Sequence, residues 1–230
     1  ILAYNLFMKN TIQDKTKLVN SVFSKVNKKY DLMNDIMSLG IHRIWKNKFL
    51  DWMNPQQGNN LIDVASGTGD IAKMYSKKVK NSSEIYCIEP NEEMLQVGKK
   101  NLNKFKNIKW HKAKAEKLPF KSNTFDFYSI SYGLRNVTNI NLALKEAFRV
   151  IKPGGRFMCL EFSKIDNEVI NFFYQNYSKL IPLVGKYVAG SADSYDYLIK
   201  SIRSFYNQEE LFNLIEQNGF SNVEYRNLSN

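Results

Sequence analysis

The sequence of 230 residues has few residues suited to disulfides or metal sites, with only two cysteines, Cys87 and Cys159, and two histidines. Each cysteine lies in its own apolar run without metal-ligand spacing, which indicates buried thiols in a reducing compartment rather than a disulfide framework or a zinc site. Long apolar runs are also missing. No stretch approaches about 18 consecutive apolar residues, so no segment of the sequence is suited to span a bilayer.

Acidic residues are scarce relative to basic ones, since 22 Asp and Glu stand against 33 Lys and Arg, giving a formal net charge of +11. A basic chain can bind nucleic acid, an anionic membrane or an acidic substrate. Lys and Asn are nevertheless scattered through predicted loops, as AT-rich codon usage alone would produce. Hydrophobic residues make up 43% of the sequence, which excludes a mostly disordered chain.

Strand and helix patterns alternate along the middle of the sequence. Helical patterns at residues 92–105 and 140–151 separate short apolar runs that predict strands at residues 61–65, 84–89, 108–113, 125–132 and 156–162. This alternation predicts an α/β fold with a parallel sheet that has helices on both faces. A helical pattern over residues 15–53 comes first, and a helix over residues 208–218 followed by a strand over residues 220–228 comes last.

Residues 167–206 interrupt the alternation with an aromatic-rich helical pattern. A helical insertion between strands would lie over the carboxyl edge of the sheet, where ligands bind in such folds. We therefore predict an N-terminal helical cap or lid over residues 1–56 and a main domain over residues 57–230 that carries this insertion, together forming one globular unit.

A glycine loop follows the first predicted strand, with the sequence Asp63-Val64-Ala65-Ser66-Gly67-Thr68-Gly69. Glycine lets the backbone approach a ligand closely, and the helix start offers free N–H groups. Glu89 ends the next strand, where a carboxylate can accept both ribose hydroxyls. The third glycine of the dinucleotide fingerprint and the lysine of a P-loop are missing, and a pyrophosphate beside Asp63 and Asp70 would be repelled. S-adenosylmethionine, with a ribose and a zwitterionic end, fits better, although a purely structural turn is the alternative.

Three further segments carry a more specific resemblance. They are residues 23–35 with residues 40–46; Tyr132-Gly133-Leu134-Arg135-Asn136-Val137-Thr138; and residues 149–157 with residues 160–163. Together with the glycine loop, they resemble the ubiquinone/menaquinone biosynthesis C-methyltransferases, of the 2-methoxy-6-polyprenyl-1,4-benzoquinol methylase type. The likeness covers about residues 17–228.

The resemblance implies a class I methyltransferase fold, Rossmann-like, with a doubly wound seven-stranded sheet, an antiparallel last strand and the helical insertion before the sixth strand. It implies S-adenosylmethionine as cofactor, no metal, and methylation of a ring carbon of a polyprenylated methoxybenzoquinol in ubiquinone biosynthesis. Some bacterial members of the family also methylate demethylmenaquinol. The glycine loop predicts Asp63, Gly67 and Gly69 as cofactor-binding residues, and the resemblance implies Thr68, Glu89, Lys114, Ala115 and Ser131 as further ones.

Three positions depart from the family pattern. Ser66 stands where the family usually has Gly, which should be tolerable because Gly67 and Gly69 remain. Glu89 replaces the usual Asp and keeps the carboxylate. Lys114 stands where an acidic or amide side chain commonly meets adenine, so the backbone at Ala115 is the expected contact there.

Carbon methylation requires an electron-rich ring, so the acceptor should be the reduced quinol, activated as its phenolate. With the resemblance, Arg135 is the predicted catalytic stabiliser of phenolate charge, and Asn136 is predicted to orient a water or a quinol oxygen. The structural alternative is that Arg135 pairs with a carboxylate and caps the strand end.

The N-terminal segment supplies further candidates. Tyr30, Asp31 and Asn34 are predicted to close over the cofactor. His42 and Arg43 could line the pocket, with His42 as a proton acceptor, or His42 could be a hydrogen-bonded packing residue. The insertion aromatics could form a channel for the prenyl tail or plain core.

A substrate with a prenyl tail resides in the membrane, so we expect peripheral contact with a membrane surface. A ubiquinone-biosynthesis complex and a homodimer are further partner hypotheses, and no nucleic acid is expected. Because the sequence starts with Ile, the first ten residues are expected to be the cut end of a longer precursor that hides any targeting signal. We expect the matrix side of the mitochondrial inner membrane, with the bacterial cytoplasm as the alternative.

Two other functions compete with this one. The net charge suggests a tRNA or rRNA methyltransferase, but the sequence has no Asp/Asn-Pro-Pro-aromatic motif and no basic stripe interleaved with aromatics. A non-enzymatic scaffold that binds cofactor only for stability is the second. The intact glycine loop and the Arg135-Asn136 pair argue against it.

Overall fold

The computed structural model describes residues 19, 21–22, 34–36, 38–165, 167–168, 171–172, 174–177 and 192–228. Its strands are β1 (Leu61–Val64), β2 (Ile85–Ile88), β3 (Ile108–His111), β4 (Phe125–Ser131) and β5 (Ile151–Leu160). Its helices are α1 (His42–Met53), α2 (Asp70–Lys78), α3 (Glu92–Asn101), α4 (Ile140–Val150), α5 (Ala192–Arg203) and α6 (Gln208–Gln217). A short 3₁₀ turn covers Leu134–Asn136.

The strands form one parallel sheet in the order β3-β2-β1-β4-β5. The order reverses at β1, whose last residue Val64 pairs with Ile88 of β2 on one side and Ile130 of β4 on the other. The carboxyl ends of these three strands therefore meet at one point, which is where open α/β sheets bind ligands.

The helices begin where the sequence supplies caps. Asn91, Asn139 and Asn207 each accept a hydrogen bond from a backbone N–H in the first turn of α3, α4 and α6 respectively. In α6 the Glu210 side chain accepts in return from the Asn207 N–H, forming a capping box. These local signals explain why the predicted helix starts agree with the structure.

Two hydrophobic layers enclose the sheet. One face packs against α1 and α2, with Phe49, Met53 and Tyr75 among its buried members. The opposite face packs against α4 through Ala143, Ala147 and Val150. Helices on both faces of a parallel sheet are the predicted architecture. The division into a cap over residues 1–56 and a main domain over residues 57–230 stays a prediction, although α1 shares the core of the strands.

The described part of the chain contains five strands, not seven, and the strand predicted over residues 220–228 is not formed. Asn222 has a left-handed backbone with φ of 53°, which interrupts an extended segment. The segment is held by side chains instead, since Arg226 lies 4.4 Å over the Trp52 ring and Leu228 packs on the core.

Strand β5 also differs from its prediction. It begins five residues earlier, at Ile151, because Ile151 already pairs with Phe125, and the ladder resumes at Arg156 opposite Phe127 after a register irregularity. It ends at Leu160. The predicted insertion is helical at residues 168, 171–172 and 174–177 and through α5. Within the described residues, no helix is long and apolar enough to cross a membrane.

Candidate functional site

The glycine loop joins β1 to α2 at the point where the sheet order reverses. Gly69, with φ of 88°, precedes the first residue of α2. This φ strains any side chain, and a Cβ atom there would also lie 2.6 Å from Cδ1 of Leu102, so the position favours glycine. Ser66 is accommodated, because its N–H and hydroxyl both donate to the carbonyl of Ile88.

Glu89 ends β2 and holds the glycine loop. Its buried carboxylate accepts hydrogen bonds from the N–H groups of Gly67 and Asn91, each at 2.9 Å. Burial raises the pKa of Glu89 to about 7. Glu89 also lines a cavity of about 90 Å³, here called the loop cavity, together with Gly67, Lys114, Ala115 and Asn136. Four predicted cofactor residues are thus brought together.

Asp63 lies at the other side of the glycine loop, in β1. Its Oδ1 accepts a hydrogen bond of 2.6 Å from the Ser129 hydroxyl, and burial raises its pKa to about 7. Asp63 lines a second, smaller cavity of about 20 Å³, here called the inner cavity, whose other predicted residues are Asn34, Thr68 and Ser131.

Lys46 and Asp70 also line the inner cavity. Their side chains form an ion pair of 2.7 Å in which the Lys46 side chain is 7% exposed. Asp70 therefore has its own cation, while the Asp63 carboxylate is contacted by the neutral Ser129 hydroxyl and the Ala72 backbone. An electropositive group entering the inner cavity would be favoured beside Asp63.

The residues around the glycine loop fit S-adenosylmethionine. Among the buried polar atoms of residues that line the inner cavity, Ser131 Oγ and Asn34 Nδ2 have no hydrogen-bond partner in the described part of the chain. Buried polar atoms are normally satisfied, so these two call for a polar ligand. The carboxylates of Asp63 and Glu89 suit a cationic group and ribose hydroxyls, and they would repel a pyrophosphate.

A third cavity is much larger, about 860 Å³, and mostly apolar. It lies between α1, the end of β5, the described part of the insertion and the C-terminal segment, and is here called the large cavity. Its aromatic lining consists of Trp45, Phe49, Trp52, Tyr132, Phe162, Tyr174 and Tyr177. Two insertion tyrosines thus face this cavity, as a tail channel requires.

Tyr132 joins the three cavities, because it lines each of them. It follows β4, is buried, and has a left-handed backbone with φ of 55°. Strained backbone in a bulky residue is commonly found at functional sites. The next residue, Gly133, allows this arrangement, since a Cβ there would lie 2.5 Å from Cβ of Ala65. Tyr132 is not among the predicted site residues, although it begins the segment Tyr132-Gly133-Leu134-Arg135-Asn136-Val137-Thr138 that carries the resemblance.

Arg135 forms a buried ion pair with Glu161, and each side chain is 4% exposed. Its Nη1 donates to a Glu161 carboxylate oxygen and to the Tyr132 carbonyl at 2.7 Å. Its backbone N–H donates to the other Glu161 oxygen at 3.3 Å. The carboxylate partner of the structural alternative therefore exists. Glu161 stands in a quoted segment of the sequence, but nothing local indicated this pairing.

Arg135 itself lines none of the three cavities, whereas Glu161 lines the large one. The Nε atom of Arg135 is buried and has no hydrogen-bond partner among the described residues. The charge of Arg135 still acts at the cavity wall. Burial raises the pKa of Tyr174, and the positive charge of Arg135 opposes that rise. The catalytic role of Arg135 stays a prediction.

Asn136 lies between the loop cavity and the insertion. It lines the loop cavity, its Oδ1 accepts a 3.0 Å hydrogen bond from the Tyr197 hydroxyl, and its Nδ2 donates to the Tyr132 carbonyl at 3.4 Å. Tyr197 belongs to α5, so this bond ties the insertion to the 3₁₀ turn. The predicted water-orienting role of Asn136 stays a prediction.

His42 and Arg43 lie away from the cavities. His42 is buried with its Nδ1 2.9 Å from the Ser38 hydroxyl, and burial lowers its pKa. Arg43 is exposed and forms a bidentate pair with Asp35. Neither lines any of the three cavities, so the geometry favours the packing interpretation of His42. Tyr30 and Asp31 lie outside the described residues.

Comparisons with known proteins show which family the chain belongs to. The model of the ubiE/COQ5 methyltransferase family matches residues 9–230. A protein of Rickettsia bellii named ubiquinone/menaquinone biosynthesis C-methyltransferase UbiE is 48% identical, covering 97% of this chain and 92% of its own. A Dictyostelium discoideum protein named 2-methoxy-6-polyprenyl-1,4-benzoquinol methylase, mitochondrial, is 42% identical, covering 94% and 79%.

The fold has solved relatives as well. The crystal structure of a SAM-dependent methyltransferase from Aquifex aeolicus superposes with a TM-score of 0.56 at 21% identity, covering 76% of this chain and 78% of the other. That likeness supports the α/β architecture. The match over nearly the whole chain, joined to the glycine loop and the residues around it, identifies the chain as a member of the ubiE/COQ5 methyltransferase family.

Proposed function

We propose that this chain is an S-adenosylmethionine-dependent C-methyltransferase that methylates a polyprenylated methoxybenzoquinol in ubiquinone biosynthesis. The observation that carries the proposal is the position of Tyr132, which lines the polar cavities at the glycine loop and the large apolar cavity. A polar cofactor and an apolar acceptor would therefore meet at this one side chain. The names of the relatives from Rickettsia bellii and Dictyostelium discoideum support the substrate class.

The chain's residues divide between holding the cofactor and enclosing the acceptor. S-adenosylmethionine supplies a methyl group on a cationic sulfur. Glu89 holds the glycine loop and offers its carboxylate to hydroxyls, while the polar residues Asp63, Ser131 and Asn34 line the inner cavity. The aromatic wall of the large cavity excludes water from the acceptor ring. Positioning of this kind supplies much of the rate of a methyl transfer.

The Arg135–Glu161 pair is placed to handle the phenolic proton. Glu161 lines the large cavity, so a quinol hydroxyl beside it can pass its proton to a Glu161 carboxylate oxygen. Once protonated, Glu161 no longer neutralises the guanidinium of Arg135, and this positive charge then stabilises the phenolate. With the cofactor bound, the activated ring carbon would accept the methyl group that the cofactor supplies. The ring proton would then leave to solvent, and the proton held by Glu161 would return to the phenolate oxygen, which restores the aromatic quinol.

The cellular setting is part of the proposal. A prenyl-tailed acceptor places the enzyme at a membrane surface, without a requirement for a spanning helix. The Rickettsia bellii relative, at 48% identity, supports the bacterial cytoplasm. The Dictyostelium discoideum relative, at 42% identity, supports the mitochondrial location less strongly. A homodimer and a biosynthetic complex stay predictions.

A parallel transfer assay tests the substrate class. Methyl-labelled S-adenosylmethionine would be incubated with the chain and, separately, short-tailed methoxybenzoquinol, demethylmenaquinol and tRNA. We expect label in the methoxybenzoquinol. Label in tRNA but in neither quinol would refute the proposal, and label in demethylmenaquinol alone would move the substrate to the menaquinone branch.

A further inference from the structure

The start of α1 exposes an apolar ridge, defined here as Leu39, Ile41 and Ile44. Their exposed fractions are 69%, 39% and 55%. The Ile44 N–H donates to the Ile41 carbonyl at 2.9 Å, so the two isoleucines share one helical turn and one side of it. Scattered single apolar residues are ordinary on a surface, but three large aliphatic side chains within six positions form a continuous feature.

The ridge is continuous with the large cavity. Leu39 and Ile41 line that cavity as well as being exposed, so they form part of its rim. Farther along the same helix, Trp45 and Trp52 continue the apolar lining inward. An apolar path thus runs from the exposed ridge into the interior.

The rim also carries positive charge without compensation. Lys48, seven positions after Ile41 and on the same side of α1, lines the large cavity and is exposed, as is Lys164. Neither lysine forms an ion pair with a residue of the described ranges.

The carboxylates of the same cavity are already paired. Asp51 pairs with Lys78, and Glu161 pairs with Arg135. The rim therefore presents two uncompensated ammonium groups beside exposed aliphatic side chains. An anionic lipid surface complements both features, because acyl chains accept the apolar groups and lipid phosphates attract the lysines.

We propose that the apolar ridge docks the mouth of the large cavity onto an anionic lipid bilayer, so that a prenylated acceptor enters from the membrane. This inference rests on the proposed function for the nature of the acceptor, although the docking itself does not require turnover. Ile44 would insert into the interface, and Lys48 and Lys164 would lie at the level of the phosphates.

Vesicle cosedimentation with a matched pair of variants tests the docking. Ile44→Asp changes a ridge residue that lines no cavity, and Leu142→Asp changes an equally large aliphatic residue, 48% exposed, on α4. The probes are phosphatidylcholine vesicles with and without phosphatidylglycerol. We expect the parent to bind the anionic vesicles more tightly and to lose that preference in high salt. Ile44→Asp should weaken binding about tenfold, as loss of a buried aliphatic group implies. Leu142→Asp should bind as the parent does.

Several results would overturn the inference: no binding of the parent to anionic vesicles, equal losses in both variants, or an Ile44→Asp variant that binds fully. Light scattering, which measures the oligomeric state, tests whether a second copy of the chain occupies the ridge instead. If the parent is a dimer and only Ile44→Asp is a monomer, with vesicle binding intact, the ridge is a subunit interface. Both variants should methylate short-tailed methoxybenzoquinol as the parent does. If the parent methylates no quinol while Ile44 still controls vesicle binding, the proposed function fails and the docking stands.

Discussion

Glu161 accepts hydrogen bonds from both the side chain and the backbone N–H of Arg135, and the two residues are 26 positions apart in the sequence. The pair forms because β4 and β5 are neighbours in the sheet, so the residues just after their carboxyl ends meet. Glu161 also accepts a 2.9 Å hydrogen bond from the Phe162 N–H. The carboxylate is thereby fixed at the wall of the large cavity with the guanidinium behind it.

Removal of one partner should leave a buried charge without compensation. Glu161→Ala should lower the free energy of unfolding by roughly 3–5 kcal/mol, the usual cost of breaking a buried ion pair. Asp51→Ala, which breaks the exposed pair with Lys78, should cost less than about 1 kcal/mol. Urea unfolding of both variants checks this. Similar costs for the two would show that the Arg135–Glu161 pair is not desolvated.

Arg135 should act on turnover more than on cofactor binding. Arg135→Lys keeps the positive charge but loses the planar guanidinium that contacts Glu161 and the Tyr132 carbonyl. We expect kcat to fall at least about tenfold for Arg135→Lys and further for Arg135→Ala, with the Kd for S-adenosylhomocysteine changed little, because transition-state charge loses its stabiliser. Steady-state kinetics and calorimetry measure the two quantities. Parent kcat in Arg135→Ala would remove Arg135 from the mechanism.

Glu89 should control cofactor binding with a pH dependence. Its pKa is raised to about 7 by burial, so a growing share of Glu89 is ionised as the pH rises through 7. Since the ionised carboxylate is the better acceptor for ribose hydroxyls, affinity for S-adenosylhomocysteine should rise between about pH 6 and pH 8. Calorimetric titration across this range should show the rise in the parent. In Glu89→Gln the dependence should be smaller but not absent, because the pKa of Asp63 is also raised to about 7, and an unchanged slope would assign the titration to a group other than Glu89.

The buried Asp63 carboxylate should lower the free energy of unfolding of the ligand-free protein at neutral pH. Its folded-state pKa, about 7, exceeds the ordinary value of 3.8, so between those values the folded state binds more protons than the unfolded state. Stability contributed by the protonated group is therefore present at low pH and is lost as the pH rises through 7. Asp63→Asn should unfold at a higher temperature than the parent at pH 8, with a smaller difference at pH 4. Thermal melts test this, and a lower melting temperature for Asp63→Asn at pH 8 would contradict it.

Tyr132 should affect cofactor and acceptor together because it lines all three cavities. Tyr132→Leu should raise KM for both substrates and lower kcat, since it changes the wall that separates them. Tyr206→Leu is the control, because Tyr206 is exposed and lines none of those cavities. An effect on one substrate alone would mean that Tyr132 does not connect the sites.

The parts of the fold that depend on local sequence were predictable. The glycine loop and the alternation of strands and helices appear within a few residues of their predicted positions, because local signals such as the caps Asn91, Asn139 and Asn207 set where helices begin. The prediction of a strand over residues 220–228 was wrong, because the apolar pattern gave no sign of the left-handed backbone at Asn222.

Contacts between residues that are far apart in the sequence were not predictable in the same way. The pairing of Glu161 with Arg135 depends on the register of β4 and β5, and the position of Tyr132 at three cavities depends on the packing of α1 and the insertion. The resemblance brought Arg135 into the site prediction, but it did not indicate that a carboxylate would stand between Arg135 and the large cavity.

The most direct test of the central claim is mass spectrometry of the product formed with trideuteromethyl S-adenosylmethionine and short-tailed methoxybenzoquinol, compared with the matching quinone. We expect a product from the reduced ring in which the methyl group added to a ring carbon carries all three deuterium atoms, and little or no product from the quinone. Label on a quinol oxygen, or equal methylation of the quinone, would contradict it.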